Sequence, residues 1–430
     1  MRMRILLCTL LLIPAALLAE SLDFGQAQNT ALLNNPATRA AYHTIAQARG
    51  RLLQAGLWPN PEIDLAYRSD LIFGGEGQDG ATAALMQRLP WGGRLARART
   101  VSRVEVAIAL AEVRNEERKL IQEVQKTFIE ARAAAEKSGS LRTLIKSVDS
   151  LISLNEARRQ AGQASAIAVN LGKVKKQGLR QRLVALEADE GAALATLKGS
   201  LGMPPDAALS VKGSLSEIIA VLRRGTASRK LYRPDLVRTA LEADAAGAEI
   251  ALARAEAWED ITVGVEYELE RTLDGPDLIN EHFLGVRVAI PIPAWNRNQG
   301  TIAEKTASQD RARQMIMARQ VAIEAEISAA RVRAVKSAAV STLIQKESLP
   351  LLDETRSVLE SAIQTGQADT TEAITLTNQE TEQRLFHVEA LANEALALSE
   401  VEAALGANPL LQRDIFINTL HEKKASRQKP

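Results

Sequence analysis

Two hydrophobic periods alternate along the chain. Between Pro61 and Ile72, Ile63, Leu65 and Tyr67 fall on one face and Glu62, Asp64, Ala66 and Arg68 on the other. A Gly-rich turn from Phe73 to Gly80 leads into a weaker alternation over Ala81–Leu89. Much later, Ile261, Val263, Val265, Tyr267 and Leu269 alternate with Thr262, Gly264, Glu266, Glu268 and Glu270. A turn around Asp274-Gly275-Pro276-Asp277 follows, and then His282, Leu284, Val286, Val288 and Ile290 alternate with Phe283, Gly285, Arg287 and Ala289. Period two is the requirement of a strand with one apolar and one polar face. It predicts strands at about 61–72, 81–89, 260–270 and 281–290. Runs of about ten residues also match the length of a tilted strand crossing a bilayer.

The remainder reads as helix. Leu95 to Ala161 contains no proline and Gly139 is its one glycine; at ~1.5 Å per residue such a helix reaches on the order of 100 Å. Ile121, Val124, Phe128, Ala131 and Ala135 step by three and four, the spacing of one packed stripe. Gly162 predicts the stop of this helix, and a second runs to about Lys198. Later, helix is expected from Thr301 to Glu347, then a break at Pro350, helix to Gly366 and a last helix from about Thr370 to Leu405.

The landmarks come in pairs about 200 residues apart: Pro36 and Pro234, Trp58 and Trp258, Pro90 and Pro293, Gly162 and Gly366. Recurrence at one spacing predicts an internal duplication. The organisation read from it is a leader at 1–19, a first repeat at 20–200, an inter-repeat linker at 201–231, a second repeat at 232–406 and a polar tail at 407–430. The fold class is mainly α with a small β part.

Arg2 and Arg4 precede an apolar run from Ile5 to Leu18, and Ala19 offers a small residue for cleavage, the layout of a secretory signal peptide; an uncleaved anchor is the alternative. The one cysteine, Cys8, lies within this segment, so the exported chain has no disulfide framework and no thiolate ligand. Removing Arg2 and Arg4 from 53 basic residues leaves 51 against 52 acidic ones, a balance that exerts no general pull on nucleic acid. Aromatic residues are only 3% of the chain, which suits long helices better than a thick core. No later segment reaches about eighteen uninterrupted apolar residues, so no transmembrane helix is expected.

All four tryptophans, Trp58, Trp91, Trp258 and Trp295, stand at helix-to-strand junctions. Tryptophan favours the membrane–water interface, where its ring is apolar and its N–H is wet; plugging the joint between a soluble barrel and a bundle is the other reading. Four strands cannot enclose a pore, and lipid tolerates no open edge. Strands shared among three copies would make a twelve-stranded wall with room for a channel. Glu62, Asp64, Arg68, Glu266, Glu268, Glu270 and Arg287 would then face a water-filled lumen, or else form an ordinary solvated sheet face.

The duplicated design of strand pair and long helix resembles the TolC-like outer-membrane factors. Gln54-Ala55-Gly56-Leu57-Trp58-Pro59-Asn60-Pro61-Glu62, Gln87-Arg88-Leu89-Pro90-Trp91-Gly92-Gly93-Arg94 and Pro291-Ile292-Pro293-Ala294-Trp295-Asn296-Arg297-Asn298-Gln299-Gly300 resemble the heavy-metal efflux branch, the cobalt–zinc–cadmium (CzcC-like) subunits. The resemblance implies a homotrimer in the bacterial outer membrane: a twelve-stranded transmembrane β-barrel continuous with a coiled-coil-like α-helical barrel projecting into the periplasm. It also implies a tripartite pump with a periplasmic adaptor and an RND-type, proton-driven inner-membrane transporter. The turns Gly162-Gln163 and Gly366-Gln367 would be the adaptor-docking tips, and Asp369 with Glu372 a cation ring at the entrance. Asp369-Thr370-Thr371-Glu372 equally reads as a helix N-cap with its capping-box partner, and the matching position in the first repeat is Ala168.

Enzymatic readings find no support. His43, His282, His387 and His421 are not spaced as metal ligands, and there is no P-loop, dinucleotide fingerprint or nucleophile elbow. The expectation is a channel subunit without cofactor or resident metal, an exit duct for heavy-metal cations. The alternatives are a duct for drugs or secreted proteins, or a periplasmic coiled-coil scaffold without a pore.

Overall fold

The computed structural model describes residues 20–70, 74, 75, 77–227, 231–274, 277–365, 370–406, 408 and 410. The expected signal segment, Cys8, Gly366, Gln367, Asp369 and almost all of the polar tail lie outside the described residues. The chain is mainly helical with a small sheet part, and it divides into two compact units, each drawing segments from both repeats.

The first unit comprises residues 1–39, 116–232 and 324–430. It opens with β1 (Glu20–Leu22) and α1 (Phe24–Asn34). Asp23 caps α1 by accepting the Gln26 N–H at 2.7 Å, while the Asp23 N–H donates to Gln26 Oε1 at 3.0 Å, a reciprocal capping box. Asn35 turns the chain into α2 (Pro36–Gln54): its Oδ1 accepts the N–H groups of Ala37 and Thr38, and its Nδ2 donates to the Ser200 carbonyl at 2.9 Å. That carbonyl belongs to the end of α4 (Ala166–Leu201), which pairs with the long α3 (Arg94–Gln160). Phe24 meets Phe128 edge-to-face at 5.5 Å, and Ile121, Val124, Phe128, Ile129, Leu197 and Leu201 are buried around them. Farther along α3, Leu141, Leu144, Val148 and Ile152 pack on Val169 and Leu179 of α4. A Cβ on Gly172 would stand 2.8 Å from Ile152 Cγ1, so glycine permits this approach.

Segment 201–231, expected as the linker between repeats, is itself structured. β4 (Leu209–Val211) lies parallel to β1, and α5 (Leu215–Ala227) buries Leu215, Ile218, Ile219 and Leu222 in the same core as Phe128. Its apolar residues recur at three and four, but Gly202, Pro204, Pro205 and Gly213 around them read locally as loop.

One expectation is corrected here. The helix does not break at Pro350: α7 (Gln299–Leu343) passes through a π turn at Ile344–Ser348 directly into α8 (Leu349–Thr365). The Leu349 N–H bonds back to the Ile344 carbonyl, five residues earlier. The widened turn stands where a proline ring would otherwise collide with the carbonyl four residues before it, and Pro350 has no N–H to leave unsatisfied. α9 (Thr370–Leu405) closes the unit. Its Glu394 is buried and accepts from Arg223 and the Ser341 hydroxyl, and its Glu402 and Ser399 bond to buried Gln125 of α3.

The second unit comprises residues 40–115 and 233–323. Ile45 and Ala48 of α2 pack on Ala109 and Val113 of α3. α6 (Pro234–Glu256) begins with proline in its first turn. Asp235 there accepts from Arg233 Nε at 2.9 Å and Nη2 at 2.7 Å, and from Arg319 Nε at 3.0 Å. Burial opposes its ionisation, but the hydrogen bonds from Arg233 and Arg319 outweigh it and hold the carboxyl well below the usual carboxylate range. The unit's sheet contains β2 (Glu62–Ser69), β3 (Asp79–Leu89), β5 (Ile261–Asp274) and β6 (Asp277–Ala289), all antiparallel, in the order β2-β3-β5-β6.

Candidate functional site

The strand register sorts the sheet's side chains, because directly opposed residues point to the same face. Ile63 opposes Leu85, and Leu65 opposes Ala83; Leu85 and Ala83 oppose Val265 and Tyr267, which oppose Val286 and Leu284. One apolar surface therefore crosses all four strands. It is bare: Ile63 and Leu65 are each 74% exposed, Val286 77% and Leu284 78%. From Ile261 to Leu269 this band runs about 27 Å along β5 at ~3.4 Å per residue. At the ~40° tilt of membrane barrels its height is about 21 Å, near the ~25 Å apolar belt of such barrels. Toward the hairpins it gives way to polar groups. Tyr67 OH donates to Asp79 Oδ2 at 3.0 Å, Asp79 lies 3.8 Å from Arg271, and Tyr267 OH is hydrogen-bonded to His282 Nδ1 at 2.6 Å.

The opposite face carries the charges. Arg88 pairs with Glu62 at 2.7 Å, Arg287 with Glu266 at 2.8 Å, and Arg68 reaches over β3 to Glu268 at 3.0 Å and to Glu270. Three glycines make room on this face. A Cβ on Gly80 would come 2.8 Å from Arg68 Nε, one on Gly285 3.1 Å from Glu266 Cγ, and one on Gly264 would collide with Met86. Gly80, Ala84 and Gly264 are buried on this face, Gly80 against Arg68 and Gly264 against Met86. Toward the helices an open recess of about 790 Å³ is lined in part by Glu62, Asp64, Glu256, Glu259 and Asp260. Among the described residues no group of three or more His, Cys, Asp or Glu could hold a metal ion, and no helix is long and apolar enough to cross a membrane.

All four tryptophans lie at the helix-facing end of this sheet, but they are not equivalent. Trp91 and Trp258 meet edge-to-face with ring centroids 5.2 Å apart and an 80° interplanar angle, and Trp91 Nε1 donates to the Glu259 carbonyl at 2.6 Å. Beside them Arg94 bonds Asp260 at 2.7 Å. Trp58 and Trp295, at the two outer strands, are 62% and 91% exposed. The motifs around them have a backbone purpose. Gly93 has φ 77° and its carbonyl accepts the Arg97 N–H; Asn298 has φ 58° and its carbonyl accepts the Ile302 N–H. Glycine and asparagine thus serve the same left-handed residue at the start of α3 and of α7, being the two residues that adopt it at least cost. The roles of Gly93, Arg94 and Asn298 were missed in the sequence although the motifs containing them stood out, and Asp260 lies outside those motifs.

The helix turn at Gly162 belongs to the first unit. Gly162 has φ 73°, its N–H donates to the Arg159 carbonyl at 3.0 Å and the Gln163 N–H donates to the Arg158 carbonyl at 2.8 Å, the two bonds of a Schellman motif. Ser165 then caps α4 through the Ala168 N–H. Gly162 and Gln163 are exposed. Arg158 Nη1 donates to the Ile363 carbonyl at 3.1 Å, which brings the end of α3 beside the end of α8. Glu372 stands in the first turn of α9.

These features define a mainly helical protein whose small sheet turns its apolar side outward. Residues 27–203 match the family described as "OEP: Outer membrane efflux protein". The whole fold is similar to that of a membrane protein from Pseudomonas aeruginosa (TM-score 0.70, 17% identity, 92% of each chain covered). It is also similar to CusC, whose structures concern folding and transmembrane channel formation (TM-score 0.68, 17% identity, 90% of this chain and 92% of that one). A third likeness is to the CmeC outer membrane channel of Campylobacter jejuni (TM-score 0.68, 14% identity, 93% and 89%). No curated protein matches. The family match thus covers the first repeat, under half of the chain, while the likeness in fold extends over nine-tenths of it.

Proposed function

We propose that this protein is the outer-membrane channel subunit of a tripartite efflux pump, exported by its N-terminal segment. It would be a passive duct coupled to a periplasmic adaptor and a proton-driven inner-membrane transporter. The observation that carries the reading is a sheet with a bare apolar face, a charged opposite face and two open edges, β2 and β6. In water such a sheet exposes its apolar side and offers unpaired edges to aggregation. In a bilayer the same sheet, closed by three copies, satisfies every backbone group and turns its apolar face to lipid. The likenesses to CusC and CmeC support the reading through the fold.

The proposed cargo is heavy-metal cations. The three motifs resembling the CzcC-like branch support this, as does the polar face, where Glu62, Asp64, Glu266, Glu268 and Glu270 outnumber Arg68, Arg88 and Arg287. Such an excess favours cations in a narrow water-filled space. The metal is substrate, not a resident ligand. The turns at Gly162-Gln163 and Gly366-Gln367 are the proposed adaptor-docking tips, and Asp369 with Glu372 a cation ring at the entrance.

Conductance of purified protein across a planar bilayer tests the channel. Discrete openings with cation preference are expected; a soluble monomer that leaves the bilayer silent would overturn the reading. Loss of zinc, cobalt or cadmium tolerance on gene deletion, with drug tolerance unchanged, is expected for the metal cargo, and the reverse pattern would refute it.

A further inference from the structure

Resting on the reading of the sheet as one sector of a closed barrel, we propose that Trp58 of one copy and Trp295 of the next form an aromatic pair across the seam between subunits. It is the counterpart of the Trp91–Trp258 pair within the chain.

The inner seam is the template. There the second strand of the first hairpin, β3, pairs with the first strand of the second hairpin, β5. Trp91 follows β3, Trp258 precedes β5, and the two rings meet at 5.2 Å. The open edges are the remaining strands of the same two kinds: β6 is the second strand of its hairpin and β2 the first of its own. Laying β6 of one copy against β2 of another repeats the antiparallel β3–β5 arrangement. It keeps both apolar faces on one side and brings Trp295, after β6, beside Trp58, before β2. The two tryptophans at the outer edges are the more exposed, Trp58 at 62% and Trp295 at 91%, against 46% for Trp258 and 37% for Trp91.

The neighbours correspond as well. Asp260, two residues after Trp258, has Asn60 two residues after Trp58. Arg94, which follows left-handed Gly93, has Gln299 following left-handed Asn298. The ion pair of the inner seam is thus replaced at the outer edges by two uncharged amides. Within one chain the two tryptophans cannot pair, since β2 and β6 stand three strand spacings apart, about 14 Å.

Cross-linking tests the pair. With Cys8, the chain's one cysteine, replaced by serine, the double variant Trp58→Cys/Trp295→Cys is extracted from membranes in mild detergent and treated with a short bis-maleimide. Covalent dimers and trimers on a denaturing gel are expected, with either single variant remaining monomeric. An oligomer of normal native size that yields no intersubunit cross-link overturns the proposal while leaving the channel reading intact. An unsubstituted protein that is monomeric overturns both. Should the double cysteine variant not assemble, Trp58→Phe and Trp295→Phe serve. Each is expected to lower the temperature at which the oligomer dissociates, and the two together no further than the larger single effect; unchanged dissociation temperatures refute the pair.

Discussion

The helical core around Phe128 and the four-stranded sheet are built from the same kinds of apolar residue and treat them oppositely. Phe128, Ile129 and Leu197 are 0% exposed, whereas Ile63, Leu65, Leu284 and Val286 stand bare on one side of the sheet and salt-bridged side chains cover the other. The first arrangement is complete in water within one chain. The second leaves its apolar side and its edge strands open, and in the proposed channel it is lipid and further strands that complete it. Burial therefore separates a region finished within one chain from one that is not.

The contrast is broken most severely in the first unit. Phe128→Ala should cost about 3–5 kcal/mol, because the lost ring leaves a cavity beside Phe24 that the surrounding helices cannot fill. Denaturant unfolding of the helical signal checks it. Asp235→Ala should cost about as much, ~3–5 kcal/mol, by leaving the Arg233 guanidinium buried without its carboxylate. The same site sets a pH dependence. With the folded carboxyl held below its unfolded value, its stabilisation is complete above the ordinary carboxylate range near pH 4 and is lost as pH falls below it. Asp235→Asn should accordingly flatten the acid limb of the stability profile followed by circular dichroism.

The sheet should respond to lipid and not to water. In the proposed channel Val286 faces lipid, so Val286→Arg is expected to cost about 2–4 kcal/mol for insertion, because an arginine at mid-depth must be dehydrated. In detergent-free buffer the same change should stay within about 0.5 kcal/mol, as for other exposed positions. Parallel vesicle partitioning and unfolding measurements separate the two, and equal costs in both would remove the distinction between the regions. The smallest effect is expected at the junctions. Asn298→Gly should alter stability by only a few tenths of a kcal/mol, whereas Gly93→Val should cost on the order of 1–2 kcal/mol, because a branched side chain resists the left-handed backbone. Thermal melts of the two variants check the ordering.

Much of this was legible in the residues. Strand alternation placed β2, β5 and β6 within a few positions, the proline-free run defined α3, and Gly162 marked its end, because each depends on neighbours a few positions away. The tryptophans were legible as a group at one end of the strands. What distinguishes them was not: Trp91 meets edge-to-face a residue 167 positions away, and Arg319 reaches Asp235 across 84. β4 and α5 hid in a segment whose prolines and glycines read as a joint, and the π turn before Pro350 replaced an expected break.

The division follows from the range of the forces. Hydrophobic period, capping chemistry and glycine's tolerance of positive φ act over one or two turns, so the order and type of elements, and the two-sided character of the sheet, were written into the chain. Which strand lies beside which, which tryptophans meet, and whether a buried carboxylate finds two guanidiniums depend on contacts between residues far apart in the chain. Those are selected by how whole elements pack, a choice that no local pattern encodes.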